Sequence, residues 1–269
     1  MLQRTAVILS FCLTSAVIFA GEPLYVPHGA GEMAIAFASS ATPGHWSCFH
    51  NQALLTSRSG ISAACALETR FMLPALSSKA ISAIISVGSV PIGIIATHYG
   101  NGDYFRIFTG LGSAVTLTKK VSLGVQADFI SEQGVGDYRD ISHITFETGM
   151  AVIISPSLTL GMHLFNPLVL LNTIPSSLSA CIEWRHSDAL AITFGSSIMT
   201  EEPLSVQGGI RWKVLDRMIL RTGYMSAPSS FTFGAGFLSD LLEIDAGFMI
   251  NSVTGITSSV SFVWSISMK

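Results

Sequence analysis

The sequence predicts an all-β fold: a transmembrane antiparallel β-barrel of about fourteen strands. Three observations predict it. Apolar and small polar residues alternate along many segments; charged residues are only 12% of a chain that is 49% hydrophobic; and residues 1–20 read as an export signal. That charge content is about half the ~25% usual for soluble domains. A chain so poor in charge either buries an unusually large core or lies partly in lipid.

The leader comes first in the chain. Arg4 supplies its positive end, Ala6 to Ala16 its apolar stretch, and Val17-Ile18-Phe19-Ala20 a cleavage site before Gly21. Cys12 is preceded by Leu9-Ser10-Phe11, and Phe11 is too bulky for a lipoprotein box, so cleavage is expected instead of a lipid anchor. With that leader, the expected location is the outer membrane of a Gram-negative bacterium.

Residues 21–57 are irregular and rich in glycine and alanine, and they read as a compact insert with a short helix from Phe49 to Leu55. The strands follow from residue 58. Their expected centres are Cys65, Ile84, Ile94, Leu111, Val125, Thr148, Leu160, Ala180, Thr193, Gly208, Leu220, Gly234, Ala246 and Phe262. The pattern is plainest near the end of the chain. Val260, Phe262, Trp264 and Ile266 alternate with Ser261, Ser265 and Ser267. Leu242, Ile244, Ala246, Phe248 and Ile250 alternate with Glu243, Asp245 and Gly247. A period of two marks a strand with different surroundings on its two faces.

Residues 81–97 are the most apolar stretch after the leader, but Gly88, Pro91 and Gly93 interrupt it and its β-branched residues favour strand over helix. A closed barrel is the other way to cross a bilayer, because closure pairs every backbone group. A soluble β-sandwich would also alternate, but its outward face should be rich in charge. Here the polar face is mostly Ser, Thr and Gly.

Tight connections are expected near Ser89, Lys119, Pro156, Ser187, Leu215 and Asp240, with longer ones between them, notably residues 132–142 and 166–176. This is the pattern of short periplasmic turns and longer extracellular loops.

Three short stretches carry a family resemblance. Trp46-Ser47 and Asn51-Gln52-Ala53 match a W-S-x-x-N-N-x-A-G-L pattern, with Leu54 where glycine is usual. Residues 68–80 look like a first hairpin, and Gly161-Met162-His163-Leu164-Phe165-Asn166-Pro167 like a G-x-H-x-x-N-P segment. The chain thereby resembles the PorV/PorQ-like, FadL-like outer-membrane proteins of Bacteroidetes, over nearly all of its length after the leader.

The resemblance implies a fourteen-stranded barrel with residues 21–57 as a hatch inside it, Trp46, Asn51 and Gln52 being the hatch residues. It implies binding or passage of a small hydrophobic solute through a hatch-gated barrel. Its alternative is a membrane component of a type IX secretion or surface-assembly system, partnered with other envelope proteins through the loops around Tyr138 to Asp140 and Asn172 to Ser176.

Alternation alone names the residues expected to face the lumen: Glu68, Arg70, Arg106, Asp128, Glu147, His163, Glu183, Arg185, Arg211, Lys213, Arg217, Arg221, Glu243 and Asp245. Charges in a narrow lumen must find partners or water, so ion-pair networks that stiffen the wall are the first expectation.

Other functions find little footing. No nucleophile elbow or HExxH is present, so no enzyme activity is expected. His28, His45, His50 and Cys48 share the insert but fit no standard zinc spacing, and the three cysteines left after the leader form no CxxC; neither metal nor cofactor is expected. With 14 Lys and Arg in 269 residues and a net charge of −3, nucleic acid is not an expected partner. Lipid and a small hydrophobic ligand are.

Overall fold

The computed structural model describes residues 28–86, 90–136, 140–167 and 174–266. The expected leader lies outside them, as do the centre of the Ser89 turn and part of each loop proposed for partner contacts.

Fourteen strands follow one another: β1 (Gly60–Thr69), β2 (Ser77–Ser86), β3 (Ile92–Gly100), β4 (Tyr104–Thr118), β5 (Val121–Gly134), β6 (Ile141–Ser155), β7 (Leu158–Phe165), β8 (Ser177–Arg185), β9 (Leu190–Met199), β10 (Ser205–Leu215), β11 (Met218–Ser226), β12 (Ser229–Leu238), β13 (Leu242–Asn251) and β14 (Gly255–Ile266). Every expected centre falls inside its strand. Each strand pairs antiparallel with its chain neighbours, and β1 also pairs with β14, from Ile61 opposite Ile266 to Thr69 opposite Ser258. That last ladder closes the barrel and leaves no sheet edge with unpaired amides.

Along the strands, exposed large apolar residues alternate with buried small ones. In β14, Ile256, Val260, Phe262 and Trp264 are exposed while Thr257, Ser259, Ser261 and Val263 are buried. The same holds all round, so the outer wall is a near-continuous apolar surface. Cys65 lies on it, whereas Cys48 and Cys181 are buried.

Inside, residues 28–58 fill the barrel. Helix α1 (Ala30–Ala34) packs on β11 to β14; α2 (Ser47–His50) lies against β3; a 3-10 turn, Gln52–Ser57, sits on β4, β5 and β6. The expected single helix over residues 49–55 is therefore broken in two. Asn51 is extended at the break, because its side chain is engaged elsewhere: Oδ1 accepts from Ala53 N, and Nδ2 donates to Ser40 O at 2.7 Å and Met150 O at 2.9 Å.

Small polar residues of the wall hold the segment through its backbone. Ser82 Oγ donates to His45 O at 3.0 Å and Thr232 Oγ1 to Ala34 O at 3.0 Å, while Ala30 N donates to Ser261 Oγ at 3.4 Å. Side chains meet at Ser40 and Ser179, 2.7 Å apart, and at Thr56 and Ser122, 3.0 Å apart. This is why the inner face is Ser- and Thr-rich and not densely charged. At several wall positions the approach is too close for any side chain; a Cβ on Gly161 would strike the Ser40 carbonyl, and one on Gly149 the Asn51 side chain.

Tight connections occur at residues 119–120, 156–157, 186–189, 216–217 and 239–241, all on one rim. The turn expected near Leu215 is Asp216-Arg217, Leu215 being the last residue of β10. The opposite rim is more even than expected. Its longer connections are residues 70–76, 135–140 and 166–176, but residues 101–103, 227–228 and 252–254 are as short as the turns below. Two of these are closed by asparagine: Asn101 Oδ1 accepts from Asp103 N and Tyr104 N, and Asn251 Oδ1 from Val253 N and Thr254 N. A side chain that satisfies the turn's own amides makes a longer loop unnecessary.

Candidate functional site: the filled lumen

The expected lumen residues sort by depth into three layers. At the loop rim, Arg70 Nε lies 2.9 Å from Glu68 Oε1 and Arg106 Nε 3.1 Å from Glu132 Oε1. Both guanidiniums lie over the Tyr99 ring, 5.7 and 5.8 Å from its centroid. Arg70 stands in a 3-10 turn just past β1, not in the strand.

At the turn rim, Arg221 bridges Asp245 and Glu243, with its Nη2 3.0 Å from Glu243 Oε1. Beside it Glu183 is buried, 3.1 Å from Arg185 Nε and 3.9 Å from Arg211 Nη2. Arg185 is itself half exposed at the strand end, and Lys213 pairs with Asp216 across the turn at 3.7 Å. Arg217 is in that turn and exposed; it does not face the lumen. Alternation has no meaning past the point where the strand stops.

Between the rims, β5, β6 and β7 present Gln126, Asp128, Glu147 and His163, all buried. Glu147 is the centre. One carboxylate oxygen, Oε2, accepts from His163 Nε2 at 2.8 Å and from Gln52 Nε2 of the lumenal segment. Gln126 Nε2 donates to Asp128 Oδ1 at 2.9 Å. Among the residues named from sequence, this is where wall and insert meet side chain to side chain.

The insert adds its own buried groups. His50 Nε2 donates to His28 O at 2.7 Å, which leaves Nδ1 to accept from the Ser39 hydroxyl at 2.8 Å. Burial pushes the His50 pKa down to about 4. Glu32 lies near Arg221, Asp245 and Glu243; burial first, then the two wall carboxylates, raise its pKa to about 8 against the opposing pull of Arg221. Arg58 Nη2 donates to His45 Nε2 at 2.7 Å. Among the described residues, no three His, Cys, Asp or Glu side chains gather as a metal centre.

The remaining interior is apolar. Trp46, Phe49 and Leu55 of the insert form one buried cluster with Ile84, Ile95, Phe108, Ile130, Phe165, Ile174 and Val263 of the wall and its loop. Trp46 packs on Phe49, and Phe108 on Phe165.

Several of these residues had no part in the expectations. Gln126 and Glu132 share the parity of Asp128 and were findable by alternation. Tyr99 had no polar signal to mark it. Glu32 acts only through the folded interior; Asn166, expected in the G-x-H-x-x-N-P segment but not as a lumen residue, joins Thr145 Oγ1 at 2.8 Å to Ile174 O at 2.6 Å.

No protein-family model and no curated protein sequence matches the chain. Solved structures do. The fold is similar to that of the CymD monoaromatic hydrocarbon channel, with a TM-score of 0.71 at 14% identity, covering 92% of this chain and 100% of that one. A Pseudomonas aeruginosa FadL homologue follows with a TM-score of 0.70 at 11% identity, covering 91% and 100%. The P. putida toluene transporter TodX gives 0.69 at 11%, again over 91% and 100%. At these identities the likeness establishes a shared fold: a closed, antiparallel, FadL-like barrel.

Proposed function

We propose that this protein is exported by its leader to the outer membrane of a Gram-negative bacterium and there binds or passes a small hydrophobic solute, with residues 21–57 as the hatch. The observation that carries the reading is the apolar cluster inside the barrel. Trp46, Phe49 and Leu55 meet Ile84, Phe108 and Phe165 between two charged rims. An aqueous pore would have no use for such a lining, whereas an apolar solute gains its binding energy there.

The outer wall supports the membrane part. Its exposed Phe, Trp, Ile, Leu and Val side chains form a broad apolar face, and lipid is the medium in which such a surface is stable. The solved structures of the same fold include a monoaromatic hydrocarbon channel and a toluene transporter, which agrees with a solute of that size and chemistry. With the lumen filled, passage requires the hatch to shift, so little steady ion conductance is expected. The role is a channel's, not an enzyme's.

The PorV/PorQ-like resemblance rests on sequence motifs alone. A secretion or assembly role without transport needs a broad loop surface for envelope partners, and three of the loop-rim connections are only two or three residues long. The solute reading therefore takes precedence.

Calorimetric titration of the detergent-folded protein with a small aromatic hydrocarbon, against a polar solute of similar size, tests the reading. Saturable binding of the hydrocarbon alone supports it; equal binding of both, or of neither, contradicts it.

A further inference from the structure

The middle layer lacks the cation that the rest of the wall supplies. Each of the other buried carboxylates on the wall is matched to an arginine: Glu68 to Arg70, Glu132 to Arg106, Glu183 to Arg185, Asp245 to Arg221. Asp128 and Glu147 are as deeply buried, at 2% and 0% exposure, and no Lys or Arg pairs with either among the described residues. Their two side chains are instead hydrogen-bonded to each other. Carboxylates have only acceptors to offer, so this bond exists only if one of the two carries a proton.

The neighbours decide which one. Glu147 Oε2 accepts from Gln52 Nε2 and from His163 Nε2, and two N–H donors on one oxygen are what an anion takes. Asp128 Oδ1 accepts only from Gln126 Nε2, at 2.9 Å. The oxygens left over are Asp128 Oδ2 and Glu147 Oε1, both buried and neither with a donor among the described residues. A proton on Asp128 Oδ2, donated to Glu147 Oε1, completes both. Nothing else around the pair supplies a positive charge in its place. β4 presents Gly110 and Gly112, β5 Gln126, β6 Thr145 and β7 His163, while the lumenal segment adds Gln52 and the Cys48 thiol, with His50 near His163. None of these is a Lys or Arg.

We infer that Asp128 is an un-ionised carboxylic acid whose proton is shared with Glu147, and that this proton latches the lumenal segment to the wall. Glu147 then gathers donors from β5, β7 and the segment: Asp128, His163 and Gln52. Loss of the proton sets two anions in contact in a dry interior, and the repulsion falls on the acceptor that holds Gln52. The seated state thus holds a proton that the released state, with its carboxyls in water, gives up. Seating is favoured by acid and lost as pH rises. The inference rests on the reading of this segment as a hatch but not on the solute, and its test uses no solute, so either can fail alone.

The test uses the full chain, folded in detergent, in a Glu32→Gln background that removes the segment's own buried acid. Infrared spectra at pH 7 should show the carbonyl stretch of an un-ionised carboxyl group, and Asp128→Asn should abolish it. Asparagine keeps both hydrogen bonds without a titratable proton: its oxygen accepts from Gln126 and its NH2 donates to Glu147. Protease cleavage within residues 28–58, referred to an unstructured peptide at the same pH, follows release of the segment. Between pH 6 and 9 it should quicken by up to about tenfold per pH unit, the slope for one proton released, and stay level in Asp128→Asn. Should that variant not fold, Glu147→Gln replaces the other carboxyl and is expected to give the same two results. A carboxyl band that is absent before the substitution, or unchanged by it, overturns the shared proton. A cleavage rate that ignores pH, or that rises as steeply in the variant, overturns the latch.

Discussion

Gln52 of the lumenal segment and Glu147 of β6 share one hydrogen bond at the centre of the barrel, and the same carboxylate oxygen accepts from His163 on β7. One acceptor thus holds an insert residue and a neighbouring strand together. Glu147→Ala removes the acceptor that the Gln52 amide and the His163 ring share. The expected cost is about 3 kcal/mol, from the loss of two hydrogen bonds to one buried acceptor. Denaturant unfolding in detergent measures it, and protease cleavage within residues 28–58 should quicken in parallel. An unchanged midpoint would mean that this contact does not hold the segment.

Close backbone approach is a second dependence. Gly161→Val places side-chain atoms on the Ser40 carbonyl, which cannot move without displacing the insert. The barrel ladder itself does not need glycine there. The variant should therefore still shift on a gel after boiling, as a closed barrel does, while residues 28–58 become protease-sensitive. Gly102→Ala, which meets open space, is the control. Loss of the gel shift in Gly161→Val would show that segment and barrel fold as one unit.

The membrane reading makes a sharp claim about Phe194, which is 63% exposed in the middle of β9. On a soluble protein Phe194→Arg would be close to neutral. On a wall facing the bilayer midplane it costs about 2–4 kcal/mol. Folding into lipid vesicles, compared with the unaltered chain, separates the two; a change near zero would contradict a lipid-facing wall.

Acidity acts through Glu32. Its pKa is raised from 4.5 to about 8 on folding, chiefly by burial, so the folded protein holds a proton that the unfolded chain releases. Its contribution to stability is therefore full below pH 4.5 and is lost as pH rises through about 8. His50 acts at the other end: its pKa falls from 6.5 to about 4, and stability is lost as pH drops between those values. Melting curves at pH 5, 7 and 9 should show Glu32→Gln removing part of the alkaline loss and leaving the acid limb as it was. An unaltered alkaline limb would place that loss elsewhere.

Much of the barrel was legible because a period of two is a local property. Phe262 and Trp264 announce an outward face whatever their neighbours are. The lumen was legible in parity but not in pairing. Nothing in Glu183 or Asp128 says that one meets arginine and the other does not; that depends on register between strands. Parity also fails where strands end, which is why Arg217, expected inside, lies in a turn. The insert was least legible. The break at Asn51 is imposed by Met150 and Ser40, contacts 99 and 11 residues away in sequence that no local pattern encodes.

The account's central claim is tested most directly by uptake. Cells lacking their own hydrocarbon channels would express this chain, and entry of a radiolabelled small aromatic hydrocarbon would be followed beside a polar solute of equal size. The account predicts faster entry of the hydrocarbon and no change for the polar solute. Equal acceleration of both would mean an open aqueous pore, and acceleration of neither would remove the transport reading.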